Sequence, residues 1–168
     1  MHAFLRRSLV LTLVTVASFA PALVFASSPV TVALTAQRVT VENGRESLGS
    51  AAAARPGEVL QYRAVYRNDG TTSVRSLMAT LPIPAGLEYL PRTAAPAVVL
   101  ASLDGTTYAP VPLVRRVRTA DGREVVREIP PSEYRFLRWS IGTLSPKESR
   151  TVVARARVAP LQVAALER

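Results

Sequence analysis

EVLQYRAVYRN, at residues 58–68, alternates between two kinds of side chain along most of its length. The apolar or aromatic positions are Leu60, Tyr62, Ala64 and Tyr66, and the polar positions include Gln61, Arg63 and Arg67. Successive side chains of an extended strand point to opposite faces, so this period of two predicts a strand with one buried and one exposed face.

Strand signals recur at short intervals on both sides of this segment, and helix signals do not. Besides 58–68, the predicted strands are 30–34, 39–41, 74–81, 136–141 and 151–158. Turn chemistry separates them at Asn43-Gly44 and Asn68-Asp69-Gly70, and Asp104-Gly105 and Asp121-Gly122 each predict a hairpin. The pattern predicts an all-β fold, an antiparallel β-sandwich of about seven to nine strands.

Two segments do not fit regular interior strands. Residues 45–57 are polar and alanine-rich and end in Arg55-Pro56-Gly57, so we expect a connection there. Residues 82–97 contain four prolines, which cannot donate a hydrogen bond to a neighbouring strand. That segment is therefore expected to be an edge strand, a loop or a corner.

Three stretches in order resemble one known family. They are residues 55–62 followed by Tyr66-Arg67-Asn68-Asp69-Gly70, the corner LPIPAGLEY at 81–89, and the hairpin LRWSIGTLSPKES at 137–149. Together they resemble the repeat called domain of unknown function eleven, an immunoglobulin-like module of prokaryotic cell-surface proteins. The resemblance covers about 55–158 and implies an immunoglobulin-like sandwich that serves as a spacer, scaffold or adhesive module, without catalytic residues.

One residue departs from that family pattern. Lys147 stands where the family usually has glycine. A lysine at positive φ is strained, so we expect the last hairpin to use a different turn.

The first 26 residues have the three parts of a secretory signal peptide. Arg6-Arg7 ends a positive n-region, an apolar run extends from Leu9 to Phe19, and Val24-Phe25-Ala26 offers small residues for cleavage. We predict cleavage of a helical signal peptide after Ala26, with Ala20-Pro21-Ala22 as a second candidate. A retained anchor and a twin-arginine signal are the alternatives, but the apolar run is too short to span a bilayer.

The predicted organisation therefore has four parts: a signal peptide at 1–26, an N-terminal strand and polar connection at 27–54, a β-sandwich at 55–160 and a tail at 161–168. Removing the leader leaves 142 residues, enough for one domain. The net charge falls from +9 to +7, because Arg6 and Arg7 are the only charged residues of the leader. We expect an exported protein, in the periplasm, the cell envelope or the extracellular space.

The residue inventory limits the chemistry. His2 is the only histidine and leaves with the leader, and the chain has no cysteine. Serine–histidine and cysteine–histidine sites and ordinary zinc sites are therefore excluded from the exported chain. We expect no enzymatic activity and no cofactor or metal, and we interpret Asp69, Asp104 and Asp121 as turn residues.

The hairpin around Asp121-Gly122 is the one candidate binding site. A two-residue turn would oppose Arg116 to Arg127. The face so formed would carry Arg116, Arg118, Arg123 and Arg127. Like charges directly opposed destabilise a strand pair, so such a face needs solvent or a partner. The partner would be an anionic envelope polymer, a membrane surface or an acidic protein patch, and the alternative is a solvated face screened by salt.

We therefore expect a non-enzymatic module of the cell envelope that acts as a structural, spacer or adhesive domain and contacts other envelope proteins or an anionic polymer. The alternative is a self-assembling surface or filament subunit, in which a strand such as 30–42 pairs with the next copy. The exported chain has no predicted transmembrane span. Nucleic acid is not an expected partner, because the chain is exported and has no recognisable binding motif.

The leader generates the first testable prediction. The exported protein should begin at Ser27, as read by N-terminal sequencing or intact mass, and Ala26→Phe should block or displace the cut because a large side chain does not fit the peptidase pocket. An exported protein that still begins at Met1 would contradict the prediction.

Overall fold

The structure, a computed structural model, describes residues 29–160. The predicted signal peptide and the tail at 161–168 lie outside the described residues. Within them there are eleven strands, a short 3-10 turn at Pro131–Glu133, and no α-helix. The strands are β1 (Val30–Glu42), β2 (Arg45–Ser50), β3 (Val59–Asn68), β4 (Val74–Pro82), β5 (Leu87–Tyr89), β6 (Leu100–Ser102), β7 (Ala109–Pro110), β8 (Val114–Arg118), β9 (Glu124–Glu128), β10 (Phe136–Leu144) and β11 (Ser149–Val158).

These strands form two antiparallel sheets and a separate hairpin. The first sheet has the order β2-β1-β3-β11-β5, the second has the order β4-β10-β6-β7, and β8 pairs only with β9. The prediction of an all-β, antiparallel architecture is confirmed. The eleven strands exceed the seven to nine predicted, and β5, β6 and β7 have only two or three residues, which is too short for an alternating pattern to be recognised.

The alternation in β3 positions the core as predicted. Leu60, Ala64 and Tyr66 are buried and Tyr62 is half-buried. They share one apolar core with Trp139 and other buried side chains of the second sheet. Alternate positions of β3 therefore hold the first sheet against the second.

The Tyr66 hydroxyl joins the two sheets by hydrogen bonds as well. It accepts from the backbone N–H of Thr80 and donates to the carbonyl of the same residue, both at 3.0 Å. β10 pairs with one edge of β4, and these backbone groups of Thr80 lie on the opposite edge. A further strand would have to bind them in order to extend the sheet. Tyr66 thus caps the outer edge of β4 at Thr80.

The prediction for residues 45–57 was wrong in its first half. Arg45–Ser50 is strand β2, which pairs with the second half of β1, from Gln37↔Ser50 to Glu42↔Arg45. Every residue of β2 is exposed except Gly49, which is half-buried. The segment therefore lacks the apolar face that marks a half-buried strand. The Asn43-Gly44 turn is confirmed, with φ values of 52° and 75° at its two central residues.

The hairpin predicted at Asp104-Gly105 is confirmed, since β6 pairs antiparallel with β7, but its turn is longer than two residues. The loop between β6 and β7 covers residues 103–108. The Asp104 carboxylate accepts hydrogen bonds from the backbone N–H groups of Thr106 and Thr107, at 2.8 and 2.9 Å, and so organises a longer loop. Gly105 is required there, because a Cβ would lie 2.9 Å from the Phe136 ring.

Lys147 has a positive φ of 64°, which is strained for a lysine, and the expectation of a different turn was wrong. Pro146 directly precedes Lys147 in this turn. The Lys147 ammonium donates a hydrogen bond to the carbonyl of Asp69 at 2.5 Å. The lysine therefore does not force a different turn, and its side chain gains a partner on the neighbouring loop.

Asn68 links the loops at this end of the molecule, and its side chain is completely buried. Its amide nitrogen donates to the carbonyls of Thr72 and Leu144, at 2.8 and 3.0 Å. Its amide oxygen accepts from the N–H of Gly70 at 3.0 Å. One side chain thus connects the β3–β4 loop to the end of β10.

We predict that Asn68→Ala lowers the free energy of unfolding by about 2 to 4 kcal/mol, because it leaves a backbone N–H and two carbonyls, one of them that of the buried Leu144, without partners. Urea denaturation measures the loss. The matched control is Thr72→Ala, which removes an exposed side chain from the same loop and keeps the carbonyl that Asn68 binds. Equal effects of the two substitutions would contradict the prediction.

Candidate functional site

The arginine-bearing hairpin β8–β9 belongs to neither main sheet. It is anchored at its base, where Leu113 and Ile129 are buried and the N–H of Ile129 donates to the carbonyl of Leu113 at 2.8 Å. The N–H of Leu113 also donates to the hydroxyl of the buried Tyr134, at 2.9 Å. Between these anchors every residue is exposed or half-buried, so the hairpin projects from a fixed base.

The register of the hairpin differs by one residue from the predicted one. Arg116 pairs with Val126, and the backbone N–H of Thr119 donates a hydrogen bond to the carbonyl of Arg123. The loop therefore comprises the three residues 120–122. Gly122 has φ of 83°, whereas Asp121 does not have positive φ. A two-residue turn of the predicted kind needs positive φ at both central residues, and within residues 29–160 Asn43-Gly44 alone meets that condition.

The shifted register separates the four predicted site residues, because residues directly opposite each other share a face. Arg116 and Arg118 lie on one face, which also carries Val114, Glu124, Val126 and Glu128. Arg123 and Arg127 lie on the other face, together with Arg115, Val117, Thr119 and Val125. The prediction of one four-arginine face was therefore wrong, and sequence reasoning missed Arg115. The threonine before Ala120-Asp121-Gly122 is the local signal for the longer loop, because its hydroxyl contacts Asp121.

The two faces differ in charge. On the first, two arginines are balanced by two glutamates, and Arg118 directly opposes Glu124. On the second, which we call the basic face, Arg115 directly opposes Arg127. Arg115 forms two contacts of 3.3 Å with Glu133, and Arg123 lies 3.3 Å from Asp121. Within residues 29–160 Arg127 has no ion-pair partner, so it is the free cation of the basic face.

Carboxylates outside the hairpin act as hydrogen-bond acceptors at turns. Donation from the backbone N–H groups of Thr107 and Thr106 holds the pKa of Asp104 far below its ordinary value of 3.8. The backbone N–H of Ser145 lowers the pKa of Glu148 in the same way. Thr31 and then Arg67 lower the pKa of Asp69. These groups are ionised and bound at neutral pH, so they serve the loops rather than proton transfer.

A cleft of about 870 Å³ lies beside the base of the hairpin. Its lining is mostly apolar and includes four prolines, and Arg92 and Glu128 are its charged residues. Tyr89 and Tyr134 lie at its wall with ring centroids 6.1 Å apart, but both are almost fully buried in the core. The cleft therefore offers a ligand little aromatic surface.

Comparisons with protein family models, with curated proteins and with solved structures find no match to this chain. Among residues 29–160, no cluster of three or more acidic, histidine or cysteine side chains is arranged to hold a metal ion. The same part of the chain contains no helix with the length and apolar character that crossing a membrane requires.

Asp104 predicts a pH dependence. Its pKa is lower in the folded chain than in the unfolded chain, so the carboxylate stabilises the fold above about pH 4, and this contribution is lost as the pH falls further. Asp104→Asn keeps an oxygen for the two N–H donors and cannot titrate. We expect the urea midpoint of the wild type to fall more steeply on acidification than that of the variant. Parallel acid profiles would contradict the assignment.

Proposed function

We propose that this protein is an exported, non-enzymatic module of the cell envelope, with an immunoglobulin-like sandwich that acts as a spacer or adhesive domain for other envelope components. The projecting hairpin β8–β9 is the observation that carries the proposal. It adds only Leu113 and Ile129 at its base to the core and leaves its strands exposed. A fixed base with a protruding ribbon suits contact with a partner.

The sequence supports the same proposal independently. The leader accounts for export, the resemblance at 55–158 is to modules of cell surfaces, and the exported chain lacks histidine and cysteine. The carboxylates with displaced pKa are bound at turns or, for Glu46, paired with Arg155 at 2.7 and 2.8 Å. These features favour a structural or binding role over catalysis.

The basic face of the hairpin is the proposed contact with an anionic partner. It combines Arg115, Arg123 and Arg127, and of these three only Arg127 has no ion-pair partner within the described residues. An acidic patch of another envelope protein or an anionic envelope polymer fits this charge. The opposite face is electrically balanced and serves as an internal control.

A second candidate function is that of a subunit that assembles with copies of itself. The observation that favours it is strand β1, in which residues 31–36 are paired on one side only within the described residues.

The charge-reversal test uses the two faces of the hairpin. We expect Arg123→Glu combined with Arg127→Glu to reduce cosedimentation with native envelope fractions strongly, and salt to weaken wild-type binding because the contact is electrostatic. The matched variant, Arg116→Glu with Arg118→Glu, changes the charge equally on the other face and should bind nearly as the wild type does.

Two results would contradict the proposal at different levels. If both double variants bind as the wild type does, the hairpin is not the contact. If the tagged protein is found in the cytoplasm with its leader intact, the assignment to the envelope is wrong.

A further inference from the structure

The first half of β1 has an open edge. β3 pairs with β1 from Val30 to Val39 on one side, whereas β2 pairs only from Gln37 to Glu42 on the other side. Within the described chain no strand pairs with residues 31–36 along that second side. The open segment reads TVALTA at 31–36, without a charge or a proline.

The same segment exposes apolar side chains on the face that carries the core. Val32 and Leu34 pair with Tyr66 and Ala64 of β3, so they lie on the inner face of the first sheet. They are nevertheless 53% and 50% exposed, because the second sheet does not cover β1. An open edge and an uncovered apolar strip therefore coincide at one place.

The outermost strands of the two main sheets are protected. β4 is capped by Tyr66 at Thr80 and has positive φ at Ser76. β5 has three residues and β7 has two, one of them proline. β2 begins with Arg45-Glu46. Short strands, charges and proline are the usual means by which edges avoid pairing, and residues 31–36 have none of them.

We infer that residues 31–36 pair antiparallel with the same segment of a second copy, so that the first sheets of two molecules join into one continuous sheet. This inference deepens the self-assembly candidate and rests on it. The occupant is a second copy because the segment is complementary to itself. A two-fold axis at Ala33 opposes Thr31 to Thr35 of the other copy and Val32 to Leu34, so inner faces stay with inner faces.

That register uses the whole open segment. The two copies of Val32 and Leu34 form one apolar cluster across the axis, and threonines face each other on the outer side. At the other end of the segment, Ser50 of β2 already pairs with Gln37, so β2 sets the length of the open segment.

The first test is the oligomeric state of the protein purified after export. We expect a concentration-dependent dimer in analytical ultracentrifugation, and Leu34→Lys should raise its dissociation constant at least about tenfold by placing like charges next to the axis. The matched control is Val41→Lys. Val41 is 64% exposed on the same strand but lies in the half already paired with β2, so its substitution should leave the dimer intact.

The second test determines the register of the pairing between the two copies. The chain has no native cysteine, so an introduced thiol is the only one that can react. Ala33→Cys should cross-link two copies through a disulfide or a short bis-thiol reagent, since directly opposed Cα atoms in an antiparallel pair lie about 4.5–5.5 Å apart. Thr35→Cys should not, because Thr35 faces Thr31 of the other copy.

A wild type that stays monomeric at all concentrations, cross-linking at position 35 equal to that at 33, or equal disruption by Val41→Lys and Leu34→Lys would each overturn the inference. Capture of a different envelope protein by Ala33→Cys, without a homodimer, would also overturn it. A Leu34→Lys variant that is monomeric yet still sediments with envelopes would support the dimer and leave the proposed envelope function standing.

Discussion

The buried amide of Asn68 is the interaction on which the geometry of one end of the molecule depends. It satisfies two carbonyls and one N–H that the loops leave without strand partners. Its backbone continues the same network, because its N–H donates to Glu148 and its carbonyl accepts from Lys147, at 3.0 and 2.8 Å. Buried peptide groups without partners are costly, so these loops have few alternatives to the observed arrangement.

Strand edges impose the second constraint. A two-sheet fold that does not close into a barrel must expose edges, and this chain protects most of them by a tyrosine hydroxyl, short length or charge. Tyr66 has two roles here. Its ring packs in the core, and its hydroxyl forms hydrogen bonds with the backbone N–H and carbonyl of Thr80. Against this protection, the uncharged first half of β1 stands out as the surface at which pairing is still open.

The sequence predicts the features that depend on local periodicity and misses those that depend on turn geometry. β3 was predictable because its alternation is long and one face is buried, and Asn43-Gly44 because both residues tolerate positive φ. β2 was missed because a strand exposed on both faces has no apolar period. The faces of the hairpin were misassigned because one additional loop residue shifts the register and moves every side chain of one strand to the other face. The conformation of Asp121 decides whether the loop has two or three residues.

The anchoring of β8–β9 also bears on how this protein could diversify. Its strands contribute little to the core, and Leu113, Ile129 and Tyr134 fix the points where the ribbon leaves and rejoins the body. Exposed tips of this kind tolerate insertions and exchanges better than buried strands do. Residues 114–128 therefore form a natural grafting site, where recognition can change by exchange of one ribbon while the two sheets keep their packing.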